Sequence, residues 1–159
     1  MHASAQRVID AAARGGVSID VSEFPDGTRT ADDAARAVGV AVGQIVKSLV
    51  FSVDGDVVLA LVSGANRLDE RSLAVAAGHP ASAVGRVDAD AAKAATGFSI
   101  GGVPPFGHET PVATFVDRDL LSYDVVWAAA GTPRHVFPIA PSDLIALSGA
   151  TIADLRDNG

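Results

Sequence analysis

Two features of this 159-residue chain are suited to chemistry, a lysine inside a strand and a run of glycine and proline. The lysine is Lys47, in Gln44-Ile45-Val46-Lys47-Ser48-Leu49-Val50-Phe51. A two-residue period puts Ile45, Lys47, Leu49 and Phe51 on one face and Val46, Ser48 and Val50 on the other. Neither face reads as solvated, so an ammonium placed there needs water, a partner or a ligand. One reading aims the cation into a pocket, and the other lets the stem snorkel until the charge is solvated. The second feature is Gly101-Gly102-Val103-Pro104-Pro105-Phe106-Gly107-His108. Glycine permits positive φ and close approach to the main-chain N–H groups, while proline stiffens the chain and removes donors. Such a run either turns a tight corner between sheets or cradles a ligand. Fixed N–H donors of this kind suit polarising an ester carbonyl, because they stabilise the developing oxyanion.

The common side-chain machineries are missing. Ser63, in Leu61-Val62-Ser63-Gly64-Ala65, does not fit the G-x-S-x-G nucleophile elbow. His108-Glu109 lacks the second histidine of H-E-x-x-H. His2, His79, His108 and His135 lie far apart, and no spacing suggests a metal. There is no Walker loop, no G-x-G-x-x-G and no cysteine, which excludes disulfides, thiolate metal sites and a cysteine nucleophile. Neither metal nor cofactor is expected. Asn66 and Arg67 follow a glycine-bearing loop, where an arginine either holds a phosphate or is simply solvated. Asp117 is expected to cap a short turn at Asp119 to Ser122, Trp127 to lie in the core, and Lys93, the only other lysine, to sit on the surface.

The elements that must position these residues can be read in order. Ala5, Val8, Ile9, Ala12 and Ala13 recur at helical spacing up to Gly15-Gly16. Val17 to Phe24 reads as a strand closed by Pro25-Asp26-Gly27. Thr30 with Asp33 opens a helix that Gly39 stops. Gln44 to Val53 and Asp56 to Val62 are strands joined by Asp54-Gly55, a strong hairpin signal. The second of them is apolar throughout and marks the sheet centre. Asp69 caps a helix to Ala77, Ala83 to Val87 is extended, and Asp88 to Thr96 is a weaker helix. Strands over Val112 to Val116, Val125 to Ala130 and His135 to Ile139 precede a last helix from Pro141-Ser142-Asp143. The tail Asp157-Asn158-Gly159 is expected to fray. Hairpins mixed with scattered helices indicate an α+β fold, and the length suits one domain over 1–159.

Composition limits the partners. Twelve basic against nineteen acidic residues give a net charge of −7. That disfavours broad duplex binding, which relies on many phosphate contacts, but allows local contact with a nucleic-acid end. No apolar run approaches the roughly 18 residues of a membrane span, and the start lacks the pattern of a signal peptide. A cytoplasmic protein is the expectation, with no membrane partner.

Taken together, the segments Thr30-Ala31-Asp32-Asp33-Ala34-Ala35, Gln44 to Phe51, Gly64-Ala65-Asn66-Arg67-Leu68-Asp69 and Gly101 to Gly107 resemble the YbaK/EbsC family. Trp127-Ala128-Ala129-Ala130-Gly131 and Pro141-Ser142-Asp143-Leu144 extend the resemblance, which runs over nearly the whole chain from Thr30. This family is related to the editing insertion of bacterial prolyl-tRNA synthetases. The resemblance implies a curved, barrel-like mixed β-sheet surrounded by helices, and hydrolysis of wrongly charged aminoacyl-tRNA. It implies that Lys47 helps hold the 3′-terminal adenosine and aminoacyl end, and that the loop from Gly101 to Pro105 presents backbone groups to the ester. Lys47, Gly101 and Gly102 are then the expected catalytic residues. Ser63, Gly64, Asn66, Pro104, Pro105, Phe106, Gly107 and Gly131 are the expected substrate-binding ones. The implied partners are the acceptor end of a mischarged tRNA, such as tRNA(Pro) carrying cysteine or alanine, and a prolyl-tRNA synthetase, with the chain a monomer or homodimer. Alanine-clearing relatives carry a His-Pro near the place where this chain reads Ala129-Ala130-Gly131, a departure that leaves the edited amino acid open.

Two other classes of function fit the same residues. A binding or regulatory module would keep the fold without catalysis. A small-molecule enzyme would use Lys47 as a Schiff-base amine, its pKa lowered by apolar neighbours.

Overall fold

The structure, a computed structural model, describes residues 2–24 and 30–157. Helix α1 (Ala3–Arg14) buries Ala5, Val8 and Ala12, the face set by helical spacing. Strand β1 (Ser22–Glu23) is all that forms of the strand expected over Val17 to Phe24. Val17, Ile19 and Val21 still pack on the core, from irregular chain. The expected Pro25-Asp26-Gly27 turn lies outside the described residues. Helix α2 (Ala31–Val38) begins where Thr30 Oγ1 accepts the Asp33 N–H at 3.1 Å and ends at left-handed Gly39.

Strands β2 (Val46–Val53) and β3 (Asp56–Ser63) form the expected hairpin. Asp54 and Gly55 both have positive φ, 52° and 85°, as a two-residue turn matched to strand twist requires. β2 starts later than Gln44 because Val42–Gln44 is a 3₁₀ turn, closed by the Gln44 side chain accepting the Ala41 N–H at 3.1 Å. Helix α3 (Glu70–Ala76), strand β4 (Val84–Arg86), helix α4 (Ala89–Thr96) and strand β5 (Ala113–Asp117) follow at their expected places. Strands β6 (Val126–Ala129) and β7 (His135–Ile139) and helix α5 (Pro141–Ser148) do so too. Strand β8 (Thr151–Ala153) was not expected. It is too short to show a periodicity, and it forms by parallel pairing with β5.

The strands make two sheets, one ordered β4-β2-β3-β5-β8 and the other β1-β7-β6. β3 is central and buried on both faces, as its apolar run indicates. Leu59 and Leu61 face a core with Phe98, Val126, Phe137 and Leu144, while Val58, Ala60 and Val62 face Leu73, Phe115 and Leu155. The fold is α+β with a mixed sheet, as expected. The sheets do not close into a barrel. β4 pairs with β2 only over Phe51 to Val53, and β6 meets the chain beside β2 through a single bridge, Ile45 to Trp127. Between those two points no strand among the described residues pairs with that edge of β2.

Candidate active site

A cavity of about 550 Å³ fills the gap where the two sheets part. Val46 to Leu49 of β2 form one wall, Trp127 to Ala129 of β6 another, and Thr30, Ala31 and Asp32 at the start of α2 a third. Gly64, just past β3, and Ile100, Gly101 and Val103 from the loop before β5 complete it. Lys47, Gly64 and Gly101, distant in sequence, are thus brought to one cavity.

Lys47 is half-buried, and its ammonium donates to the main-chain carbonyl of Asn66. The Asn66 carboxamide is itself held, with Nδ2 donating to Asp117 Oδ2 and Asp119 Oδ2, each at 2.8 Å. Asp117 is buried at 1% exposure. Its carboxylate also accepts the main-chain N–H groups of Ser63 and Asp119, both at 3.0 Å. The loop after β3 is therefore fastened to the end of β5, and the lysine is fastened to that loop. Burial draws the Lys47 pKa below its ordinary value, against the opposing pull of the Asp117 charge. Asp117 does cap the turn at Arg118–Ser122, as expected. Its second role, through Asn66, is a long-range one that no local spacing announces.

The glycine–proline run divides between cradle and corner. Gly101 lines the cavity with φ of 94°, a conformation that disfavours any side chain. No acceptor among the described residues pairs with its N–H. Gly102 is different, because its N–H donates to Ser99 O at 3.0 Å. It is glycine for close packing, since a Cβ there would sit 2.5 Å from Thr132 Cα. Pro104, Pro105 and Phe106 are buried away from the cavity, with Phe106 edge-on to Phe137 at 5.7 Å. Gly107 packs against Ala11 of α1. None of these five residues, expected to meet a ligand, lines the cavity. They build the corner that holds Gly101.

Two further expected contacts are also structural. Ser63 is buried, and its hydroxyl donates to Gly43 O at 2.7 Å. Gly131 lies against the start of α1, where a Cβ would come within 2.6 Å of Ser4 O. Gly64 both lines the cavity and admits the Val42 carbonyl, which would be 2.3 Å from a Cβ. Asn66 acts through its carbonyl on Lys47 and does not line the cavity.

Trp127 and Ser48 are lining residues that their sequence context hides. Trp127, expected in the core, does pack, half-buried, against the small cluster of Ala34, Ala35 and Ile45, and it also lines the cavity. His108 is more than a solvated neighbour of the run. Its Nε2–H donates to Pro104 O at 2.7 Å, and its ring meets Phe98 edge-on at 6.5 Å.

The family model described as "Aminoacyl-tRNA editing domain" matches residues 25–147. In Bacillus subtilis (strain 168), the uncharacterized protein YwhH is 30% identical over 126 residues, covering 79% of this chain and 78% of that protein. A solved structure of a "putative trans-editing enzyme for prolyl tRNA synthetase" is 47% identical, covers 99% of both chains and superposes with a TM-score of 0.92. The structure of hypothetical protein APE2540 is 30% identical over 95% of this chain and 99% of that one, with a TM-score of 0.85. Fold, coverage and the family match agree, and the chain belongs to the aminoacyl-tRNA editing domain family.

Proposed function

We propose that the protein is a trans-acting aminoacyl-tRNA deacylase, with residues 1–159 working as one domain. Its substrate is the ester of a mischarged tRNA, such as tRNA(Pro) carrying a small wrong amino acid like cysteine or alanine. The observation that carries this reading is the meeting of Lys47 and Gly101 in one cavity of about 550 Å³, a size suited to an aminoacyl-adenosine end rather than to a folded partner.

The chemistry asks little of the protein, because an aminoacyl ester is already activated. A water adds to the ester carbonyl carbon and gives up a proton. The oxygen that becomes negative is stabilised by the uncommitted Gly101 N–H, with the Lys47 cation nearby. Collapse breaks the bond to the ribose oxygen, which takes a proton and leaves the tRNA with a free hydroxyl. Losing one such donor typically costs roughly 10²–10³ in rate. The −7 charge suits contact with the acceptor end alone, and the prolyl-tRNA synthetase connection of the 47% identical structure supports a synthetase as partner.

A second reading is a binding module of the same fold. It is favoured by one observation, that the Lys47 ammonium and the Gly102 amide already have internal acceptors. Deacylation of a panel of mischarged tRNAs by wild type, Lys47→Ala and Gly101→Ala separates the two. Hydrolysis lost in both variants supports the deacylase. Tight binding of the charged end with no hydrolysis by wild type would replace it with the module.

A further inference from the structure

Ser48 stands on the wall of the cavity, and its hydroxyl is the one buried side-chain polar group without a hydrogen-bond partner among the described residues. Proteins rarely leave such a group unpaired, since it has lost water and gained nothing. Its neighbours offer no reason for a hydroxyl. Val46 and Val50 flank it on the same face, and Leu61 is its cross-strand partner.

Among the described residues, no strand pairs with the outer edge of β2 at the same point. Gly64 N–H donates to Ile45 O at 2.7 Å, and Val53 faces Asp56 across the two-residue turn. In an antiparallel ladder these two facts direct the C=O of Ile45 and the N–H and C=O of Lys47, Leu49 and Phe51 toward β3, while the Ile45 N–H donates to Val42 O at 3.1 Å. The N–H and C=O of Val46, Ser48 and Val50 therefore point to the other edge, where β4 begins only at Phe51. Ser48 thus offers a main-chain donor, a main-chain acceptor and a hydroxyl beside one cavity. No hydrogen bond holds the hydroxyl in its present rotamer, and a turn about χ1 carries it between staggered positions.

We propose that Ser48 contacts the substrate and hydrogen-bonds a hydroxyl of the bound aminoacyl-adenosine end. This rests on the deacylase reading above. The hydroxyl has two sources, the free ribose hydroxyl beside the ester or a hydroxyl on the amino acid's side chain. Both donate and accept, as Ser48 does.

Ser48→Ala tests it with two readouts that move in opposite directions. The melting temperature holds or rises, because an unpaired buried oxygen has gone. The kcat/KM for deacylation falls about five- to ten-fold, the share of one neutral hydrogen bond, and Ser48→Thr recovers most of it. A loss confined to seryl- and threonyl-tRNA places the hydroxyl on the side chain. A loss shared by alanyl- and cysteinyl-tRNA places it on the ribose. Unchanged kcat/KM for every substrate the wild type hydrolyses overturns the proposal, as does a loss of activity that merely follows a fall in melting temperature. If the wild type hydrolyses none of them, the deacylase reading fails and takes this inference with it.

Discussion

Lys47 reaches across from β2 and its ammonium donates a hydrogen bond to the main-chain carbonyl of Asn66, whose own carboxamide bridges Asp117 and Asp119. The cation is therefore positioned by main chain, with two carboxylates one residue removed. A direct ion pair would neutralise the charge and lock it in place. A carbonyl partner orients the ammonium while leaving its charge and its other protons for a ligand.

Asn66→Ala should loosen this arrangement without touching the cavity wall. Hydrogen bonds to charged groups contribute about 1.5–3 kcal/mol each, and partial exposure here reduces that to about 1–2 kcal/mol for the pair. Chemical denaturation should show that loss, and deacylation should fall about ten-fold as Lys47 loses its seat. Full activity in the destabilised variant would mean that Lys47 needs no positioning.

Lys47→Met keeps the apolar stem and removes the charge. Burial penalises the ammonium, so the melting temperature should hold or rise while deacylation falls at least about a hundred-fold, in line with loss of an electrostatic group in a preorganised site. A variant that is less stable yet equally active would contradict both halves of this expectation.

Gly101→Ala and Gly102→Ala should differ sharply although the residues are adjacent. At Gly101 a Cβ has ordinary room, 3.5 Å from Pro133, and the loss is the roughly 1–2 kcal/mol of a side chain at positive φ. At Gly102 the Cβ meets Thr132 backbone at 2.5 and 2.7 Å, which only movement of two loops relieves, at about 2–4 kcal/mol. Thermal melts should rank Gly102→Ala well below Gly101→Ala. The reverse order would show that the loop packing is not as described.

His108 should make stability depend on pH. Burial lowers its pKa from 6.5, and the Pro104 carbonyl only partly opposes this. The unfolded chain therefore takes up the proton first as pH falls, so the stability is complete above about 6.5 and is lost progressively below it. His108→Gln, which can still donate to Pro104 O, should flatten the slope of melting temperature between pH 7.5 and 5. An unchanged slope would place the titrating group elsewhere.

The hairpin, the helices α2 and α3 with their caps, and the burial of β3 are legible in the chain because each depends on neighbours in sequence. Thr30 finds the Asp33 amide three residues away, and Asp54-Gly55 supplies both positive φ values of the turn by itself. β8 falls outside that reach, as does the shortening of the strand read over Val17 to Phe24 to the two residues of β1. Two or three residues carry no periodicity, and each exists by pairing with a strand remote in sequence.

The candidate site divides along the same line. Residue type alone marks Lys47 as a cation in an apolar strand and Gly101 as a position for unusual backbone. Only the tertiary structure decides that both line one cavity, because that follows from how two sheets part beside Ile45 and Trp127. It also decides that Gly102, Pro104, Pro105 and Phe106 support the loop and do not line that cavity. Glycine and proline look alike in a sequence whether they expose a backbone or bury it, and what distinguishes them is the chain packed against them. For Gly102 that chain is Gly131-Thr132, which no spacing places beside it.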